Sequence, residues 1–213
     1  MTPLYDPDAA TARADLCRFL SACYYEPDPV FSEEKLFDNM QIAATRIHPD
    51  FPEYARKLGA AFAACDLQTL LVDYTRLFLG PMAPLARPYG ASWLQLSTRS
   101  EDNPHAAVLK TYNAGGFEID AEFQELPDHI AVELEFLYAL LFEGNPACEA
   151  LQQQFLRDNL GVWIIPFAAA VKEHAQTAFY AVLAEFTEKF VGYLWIQCCT
   201  NAIFQHTPSE QQM

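Results

Sequence analysis

The chain contains little glycine and few basic residues, and both shortages limit what it can be. Only 8 of its 213 residues are glycine, whereas β-sandwiches and barrels use many glycine-containing turns. Its 13 lysines and arginines stand against 28 acidic residues, which gives a formal net charge of −15. An acidic surface of this kind repels nucleic acid and attracts basic partners. The composition thus argues against an all-β fold and against nucleic-acid binding.

Sequence motifs of the common catalytic and cofactor sites are also missing. The chain has no phosphate-binding, dinucleotide-binding, nucleophile-elbow or zinc-protease motif. Its six cysteines lack C-x-x-C spacing and clustered histidines, so zinc and iron–sulfur sites are unsupported and reduced thiols are expected. No basic segment followed by an apolar one begins the chain, so we expect no signal peptide. We therefore expect a cytoplasmic protein without a cofactor.

Apolar residues are abundant, and most long segments repeat them at helical spacing. Hydrophobic residues make up 52% of the chain and aromatic residues 14%. Asp66 is placed to cap a helix, and the next apolar positions fall on one helical face, namely Leu67, Leu70, Leu71, Tyr74, Leu77 and Phe78. Asp73 and Arg76 lie off that stripe, three residues apart, and are expected to form a surface pair.

The same spacing, with proline as a boundary marker, predicts an all-α protein. Proline is tolerated at a helix start and not in its middle, and this places one predicted start at Pro166. We expect helices near 8–24, 32–46, 52–64, 66–79, 104–114, 128–143, 147–160, 166–176 and 178–203. They indicate a single compact helical domain of about nine to ten helices over residues 1–207, with a flexible tail at 208–213.

The end of the helix near 66–79 leads into an unusual loop. Gly80 is well placed for a helix end with positive φ, and Pro81 prevents the helix from continuing. The following loop contains Pro88, Tyr89 and Trp93, which stiffen it and give it apolar surface. From the residues alone, the loop either packs on the core or binds a ligand or peptide.

A second polar group lies in the segment Glu125 to Leu137. Asp128 is expected at a helix start, where a carboxylate can accept hydrogen bonds from free amides. His129 and Glu133 are four residues apart and share one helical face. They could form a hydrogen-bonded pair that shapes the helix start, or they could act as acid and base or hold a metal.

Taken in order, these segments resemble the TorD family of cytoplasmic chaperones for exported molybdenum enzymes, which includes the DmsD and NarJ-like branches. The matching residues are Tyr74, Leu77, Phe78, Pro81, Pro88, Tyr89, Ser92, Asp128, His129, Glu133 and Leu134. A late turn with Trp163 and Pro166 also matches, and the resemblance spans roughly residues 13–197. One departure is Asn159, because a histidine is expected shortly before the tryptophan in many members.

The resemblance implies a fold, a partner and a site. The fold is one helical domain, a monomer or a domain-swapped homodimer. The partner is the twin-arginine leader of an apo molybdopterin oxidoreductase, which the chaperone holds back from export until its cofactor is inserted. The implied leader-binding residues are Tyr74, Phe78, Gly80, Pro81, Pro88, Tyr89, Ser92, Trp93, Asp128, His129 and Glu133. Carboxylates pair well with guanidinium groups, so we expect Asp128 and Glu133 to face the arginines.

Two other functions stay open from the sequence. The chain could be an assembly or scaffold protein that binds a folded enzyme subunit through its apolar helices. It could also be a small helical enzyme that uses His129 and Glu133, with a metal ion. The sequence does not identify a client enzyme, and it offers no support for the guanine nucleotide binding that the resemblance implies for some family members.

Overall fold

The computed structural model describes residues 8–80, 83–94, 104–119 and 125–205. Within these residues the chain forms ten α-helices and no β-strand, which confirms the predicted all-α class. The helices are α1 Ala9–Ala22, α2 Val30–Glu33, α3 Leu36–Ile47, α4 Phe51–Ala64, α5 Leu67–Tyr74, α6 Pro104–Ala114, α7 Ile130–Glu143, α8 Pro146–Asp158, α9 Leu160–His174 and α10 Ala178–Gln205. The expected site residue Pro81 and the expected tail 208–213 lie outside the described residues.

The helices pack around one apolar core. Helix α1 packs along α7, α10 packs against α9 and α4, and α3 packs between α1 and α4. All six cysteines are free thiols. Across the described ranges, no helix combines the length and apolar character needed to cross a bilayer.

Phe78 lies at the centre of an aromatic cluster that joins four parts of the chain. Its ring contacts Tyr24, just after α1, with ring centroids 6.2 Å apart, and Phe167 of α9 at the same separation. It also contacts Tyr180 of α10 at 5.5 Å and Tyr74 of α5 at 5.4 Å. Three of these contacts are edge-to-face, and such aromatic contacts at these distances add to the free energy of apolar burial. The segment that leads into the loop is therefore fixed to the core.

The helical segment predicted near 66–79 is confirmed, but α5 itself ends at Tyr74 and the last turn differs. Asp66 caps the helix, because its carboxylate accepts a hydrogen bond from the Thr69 amide at 2.8 Å. The chain then continues as a π-helical turn over Thr75–Leu79, which the sequence pattern did not predict. Gly80 follows with a φ of 58°, and a Cβ there would lie 2.6 Å from the Pro84 nitrogen. Only glycine fits this turn.

The prediction that Pro166 begins a helix is wrong. Pro166 lies inside α9, which starts at Leu160. A proline in a helix leaves the carbonyl four residues earlier without its donor, and here that carbonyl belongs to Val162. Both Pro166 and Val162 are exposed, so water can satisfy the carbonyl and the helix continues. Asn159, for which the resemblance implies a histidine in many family members, separates α8 from α9 and is buried.

The prediction that Asp73 and Arg76 form a surface pair is also wrong. The two residues do pair, with Arg76 Nη2 donating to Asp73 Oδ1 at 2.8 Å, but Asp73 is buried. Its second oxygen accepts hydrogen bonds from the amide and hydroxyl of Thr177, at 2.7 and 2.9 Å, and from the Gln176 amide at 3.0 Å. Arg76 also donates to the His174 carbonyl. Asp73 thus joins α5 to the turn between α9 and α10.

We predict that Asp73→Ala lowers the free energy of unfolding by about 3 kcal/mol, because it leaves buried donors and a guanidinium without their acceptor. Urea unfolding followed by circular dichroism measures this change. The matched control is Asp158→Ala, which removes an Arg–carboxylate pair that is exposed on both sides and should cost less than about 1 kcal/mol. Equal losses in the two variants would contradict the structural role of Asp73.

Candidate functional site

The loop after Gly80 is joined to the start of α7 by backbone hydrogen bonds. The Gly90 amide donates to the Asp128 carbonyl at 2.9 Å, and the Ile130 amide donates to the Pro88 carbonyl at 2.8 Å. These bonds flank an isolated antiparallel bridge between Tyr89 and His129. The structure thus brings the loop and this helix start together, as expected from the sequence.

Asp128 does not cap its own helix as predicted. The capping residue of α7 is His129, whose Nδ1 accepts a hydrogen bond from the Ala131 amide at 3.2 Å. Asp128 is 1% exposed and holds two other segments. Its Oδ2 accepts from the Ala91 amide at 2.9 Å, and its Oδ1 lies 2.8 Å from Nδ1 of His105 on α6. Asp128 thus fastens the loop and α6 to the start of α7.

His129 is held between two tyrosine rings. Tyr25 stacks on it with centroids 6.0 Å apart, and Tyr89 meets it edge-on at 5.3 Å. Its side chain is buried, and burial lowers the pKa of the imidazole to about 4. His129 is therefore neutral near pH 7, and its Nδ1 is occupied as the helix cap.

Glu133 is a carboxyl group in the core. It has no exposed surface, and its Oε2 accepts a hydrogen bond from Trp163 Nε1 at 3.0 Å. Burial raises the pKa of this carboxyl well above its ordinary value of 4.5. Its Oε1 has no hydrogen-bond partner among the described residues. The Glu133 carboxyl bonds Trp163 and the His129 ring bonds the Ala131 amide, so the side-chain His–Glu pair, one of the two alternatives from the sequence, is not formed.

Trp163 and Gly90 explain why the loop lies where it does. A Cβ on Gly90 would be 2.9 Å from Trp163 Nε1, the same nitrogen that donates to Glu133. The loop backbone therefore rests on the indole, and only glycine permits this approach. The turn around Trp163, which resembles the family pattern in sequence, therefore has a structural role. Its indole packs under the loop at Gly90 and donates to Glu133 of α7.

The remaining predicted site residues divide into supports and surface residues. Tyr74, Phe78 and Pro88 are buried, whereas Gly80, Tyr89 and Trp93 are half-buried and Ser92 is exposed. Trp93 is oriented by a 2.7 Å hydrogen bond from its Nε1 to the Arg87 carbonyl. Of the predicted residues that the structure describes, Tyr89, Ser92 and Trp93 are thus the side chains best placed to meet a ligand.

Three glutamates that are not among the predicted site residues surround this patch. Tyr89 donates to Glu125 at 2.9 Å, and Tyr25 donates to Glu135 at 3.0 Å. Glu26 is exposed beside them, and the charges of Glu125 and Glu26 add to burial in raising the pKa of the Tyr74 hydroxyl to about 12. We name the set Tyr25, Glu26, Tyr89, Glu125 and Glu135 the acidic aromatic surface.

The acidic aromatic surface is suited to binding a cation. In the described part of the chain, none of its three glutamates forms an ion pair with lysine or arginine. Guanidinium groups bond carboxylates through two donors and stack on aromatic rings. Over the same residues, no group of three histidine, cysteine or acidic side chains is arranged to hold a metal ion.

We predict that Glu133→Gln makes the fold less sensitive to alkaline pH. A carboxyl whose pKa is raised by folding stabilises the folded state below its unfolded pKa, and that contribution is lost as pH rises through the folded pKa. Glutamine keeps an acceptor for Trp163 and cannot ionise. Between about pH 5 and about pH 8, the variant should gain at least about 1 kcal/mol relative to the wild type. Parallel stability profiles in urea unfolding would contradict the raised pKa of the Glu133 carboxyl.

Comparisons with known proteins agree with this architecture. A protein from Archaeoglobus fulgidus, described as a redox enzyme maturation protein, has a similar fold with a TM-score of 0.54 at 22% identity. The likeness covers 90% of this chain and 99% of that one. At this identity it bears on the fold alone, and it matches the all-helical architecture expected from the sequence.

Curated relatives are similar in sequence over part of their length. The chaperone protein TorD of Shewanella pealeana is 30% identical over 138 residues, which is 62% of this chain and 59% of that protein. The chaperone protein TorD of Aliivibrio salmonicida is 31% identical over 130 residues, or 57% and 60% of the two chains. That of Vibrio parahaemolyticus is 27% identical over 124 residues, or 54% and 58%. The chain thus spans about three-fifths of the length of these relatives.

The family model described as the nitrate reductase delta subunit matches residues 44–169. This segment is more than half of the 213-residue chain and contains the loop, the start of α7 and Trp163. The chain therefore belongs to the nitrate reductase delta subunit family, which is the family of TorD and NarJ.

Proposed function

We propose that this protein is a redox enzyme maturation chaperone. It binds the twin-arginine leader of a client molybdenum oxidoreductase in the cytoplasm, and it holds the client there until the cofactor is inserted and folding is complete. Family membership and relatives that are named TorD chaperones support this role. The client is an apo-enzyme, and the chaperone itself has no catalytic part in the client's reaction.

The observation that carries the proposal is the acidic aromatic surface. It presents three carboxylates without basic partners among the described residues, and two of them accept hydrogen bonds from tyrosines that flank the buried ring of His129. Carboxylates that are oriented but not neutralised favour an incoming cation. Two adjacent arginines of a leader would supply the charge that this surface lacks.

The roles of the acidic residues differ from the expectation that Asp128 and Glu133 face the arginines. Both side chains are buried and occupied, Asp128 by the loop and α6 and Glu133 by Trp163. We assign the contact with guanidinium to Glu125 and Glu135 instead. Asp128, His129 and Glu133 then act as positioning residues, because they hold the loop and the tyrosines in place.

His129 and Glu133 fit positioning better than acid–base chemistry. His129 uses Nδ1 to cap α7, and burial lowers its pKa to about 4, so it is a weak base near pH 7. Glu133 lies out of reach of solvent and bonds Trp163. The enzymatic alternative requires these two groups to meet a substrate, and both are committed to the fold.

The first test is a titration with a synthetic peptide that contains two adjacent arginines followed by an apolar segment. We predict saturable binding to the wild type. Glu125→Gln together with Glu135→Gln should weaken it about tenfold or more, since each hydrogen bond to a charged group contributes substantially and tenfold corresponds to about 1.4 kcal/mol. Glutamine retains an acceptor for Tyr89 and Tyr25, so the surface keeps its shape.

The control for this titration is Glu143→Gln together with Glu173→Gln. These glutamates are exposed and lie outside the acidic aromatic surface, and the control changes the net charge by the same amount as the test variant. The long-range electrostatic attraction between the protein and the basic peptide therefore falls by the same amount in the test and control variants. Absence of saturable binding to the wild type, or equal weakening in both double variants, would rule out the proposed contact.

The second test separates a leader-binding chaperone from an assembly or scaffold protein. We predict that apo client with its leader binds the chaperone, and that removal of the leader lowers affinity at least about tenfold, because the leader supplies the basic and apolar groups that fit the site. Isothermal titration with the two forms of one client measures the difference. Equal affinities would favour an interaction with the folded subunit.

A further inference from the structure

A separate apolar pocket lies beside the acidic aromatic surface, between α7 and the chain that follows α6. Its volume is about 310 Å³. The pocket is lined by apolar and aromatic side chains, namely Tyr112, Phe117, Ile119, Val132, Phe136 and Ala139. A pocket of this size accepts one or two large apolar side chains.

The walls of the pocket are fixed by packing and by a glycine turn. Gly116 has a φ of 76°, and it reverses the chain after α6 so that Phe117 and Ile119 return against α7. The rings of Phe117 and Tyr112 pack on Phe136, with centroid separations of 5.6 and 4.3 Å. The Tyr112 hydroxyl donates to the Pro127 carbonyl. The pocket is therefore preformed.

Glu135 joins this pocket to the acidic aromatic surface. Its carboxylate accepts hydrogen bonds from Tyr25 and Ser21 on one side, at 3.0 Å each, and its side chain lines the pocket on the other. A second carboxylate, the exposed Glu118, also lines the pocket. An apolar pocket with an acidic edge suits a segment in which apolar residues adjoin basic ones.

A short peptide can span the distance along α7 between the acidic aromatic surface and the pocket. His129 and Ala139 are ten residues apart, which is about 15 Å along a helix. An extended peptide covers that distance in about four to five residues. One peptide can thus place its arginines on the acidic aromatic surface and an apolar side chain from the same short stretch in the pocket.

We propose that this pocket binds the first apolar residues after the arginine pair of the leader. This inference rests on the proposed function. It adds a second contact, in which the pocket binds the apolar part of the leader. The arginines orient the peptide at Glu125 and Glu135, while burial in the pocket supplies affinity that salt does not screen.

The test measures how tightly two synthetic peptides bind to the wild type and to variants in which a larger side chain occupies a pocket. One peptide has two arginines followed by leucine and phenylalanine, and in the other the apolar residues are replaced by serine. Ala139→Phe fills the pocket and should weaken binding of the apolar peptide about tenfold, the loss expected for one apolar side chain. It should leave the serine peptide unchanged. Ala139→Leu is a smaller replacement that should act in the same direction.

The matched control is Ala63→Phe, which places the same ring in a different pocket, between α2 and α4, and should leave both peptides unaffected. Thermal unfolding establishes that each variant is folded. If the wild type binds neither peptide, the proposed function fails. If the wild type binds through its glutamates but Ala139→Phe and Ala139→Leu match Ala63→Phe, only the pocket assignment fails.

Cross-linking gives a second, independent readout on the wild-type protein. A photoreactive benzoyl-phenylalanine at the first apolar position of the peptide should cross-link to residues of this pocket, such as Phe117 or Ala139. Cross-links in the larger groove of about 690 Å³ that Ile165 and Ile196 line between α9 and α10 would overturn the assignment.

Discussion

The backbone bridge between Tyr89 and His129 is the constraint on which the site depends. It joins the loop to the start of α7 through the Gly90 and Ile130 amides. Without it, the tyrosine that orients Glu125 would have no fixed position. The bridge in turn needs Gly90, because a larger residue would clash with the indole of Trp163. A packing requirement in the core therefore determines where a surface carboxylate points.

Buried and exposed acids have different tasks in this protein. Asp73, Asp128 and Glu133 are buried, and each accepts hydrogen bonds that fasten one segment to another. Burying such groups is costly unless they are bonded, and each of the three has a hydrogen-bond partner, namely backbone amides, the Thr177 hydroxyl and Arg76 for Asp73, the Ala91 amide and His105 for Asp128, and the Trp163 indole for Glu133. The carboxyl group of Glu135 lies near solvent, where hydrogen bonds from Tyr25 and Ser21 fix its orientation. In the proposed function, this division leaves the carboxylates of the acidic aromatic surface available to a cation, while the buried acids stabilise the fold.

Local features of the fold were predictable from the sequence because they depend on near neighbours. The helical stripes, the Asp66 cap and the positive φ of Gly80 follow from spacing and from residue type. Pro166 misled the boundary prediction, since a proline rule takes no account of whether the unpaired carbonyl meets water. Asp73 was assigned to the surface because a stripe pattern cannot show that the turn before α10 presents its amides to that carboxylate.

The sequence predicted where the candidate site lies, but not which of its carboxylates face solvent. Order and spacing placed the loop beside the start of α7, and the structure brings these segments together. Which carboxylates face outward depended on contacts across the fold, such as the one between Tyr25 and Glu135, which are 110 residues apart. Glu125 was within the selected segment, but neither its exposure nor its bond to Tyr89 has a sequence signal.

The most direct measurement of the central claim is an NMR titration that follows the tyrosine ring resonances. We expect the resonances of Tyr25 and Tyr89 to shift and saturate on addition of the twin-arginine peptide, and to stay unchanged when both arginines are replaced by glutamine. Shifts confined to Tyr193, in the groove between α9 and α10, or identical shifts with the glutamine peptide, would contradict the account.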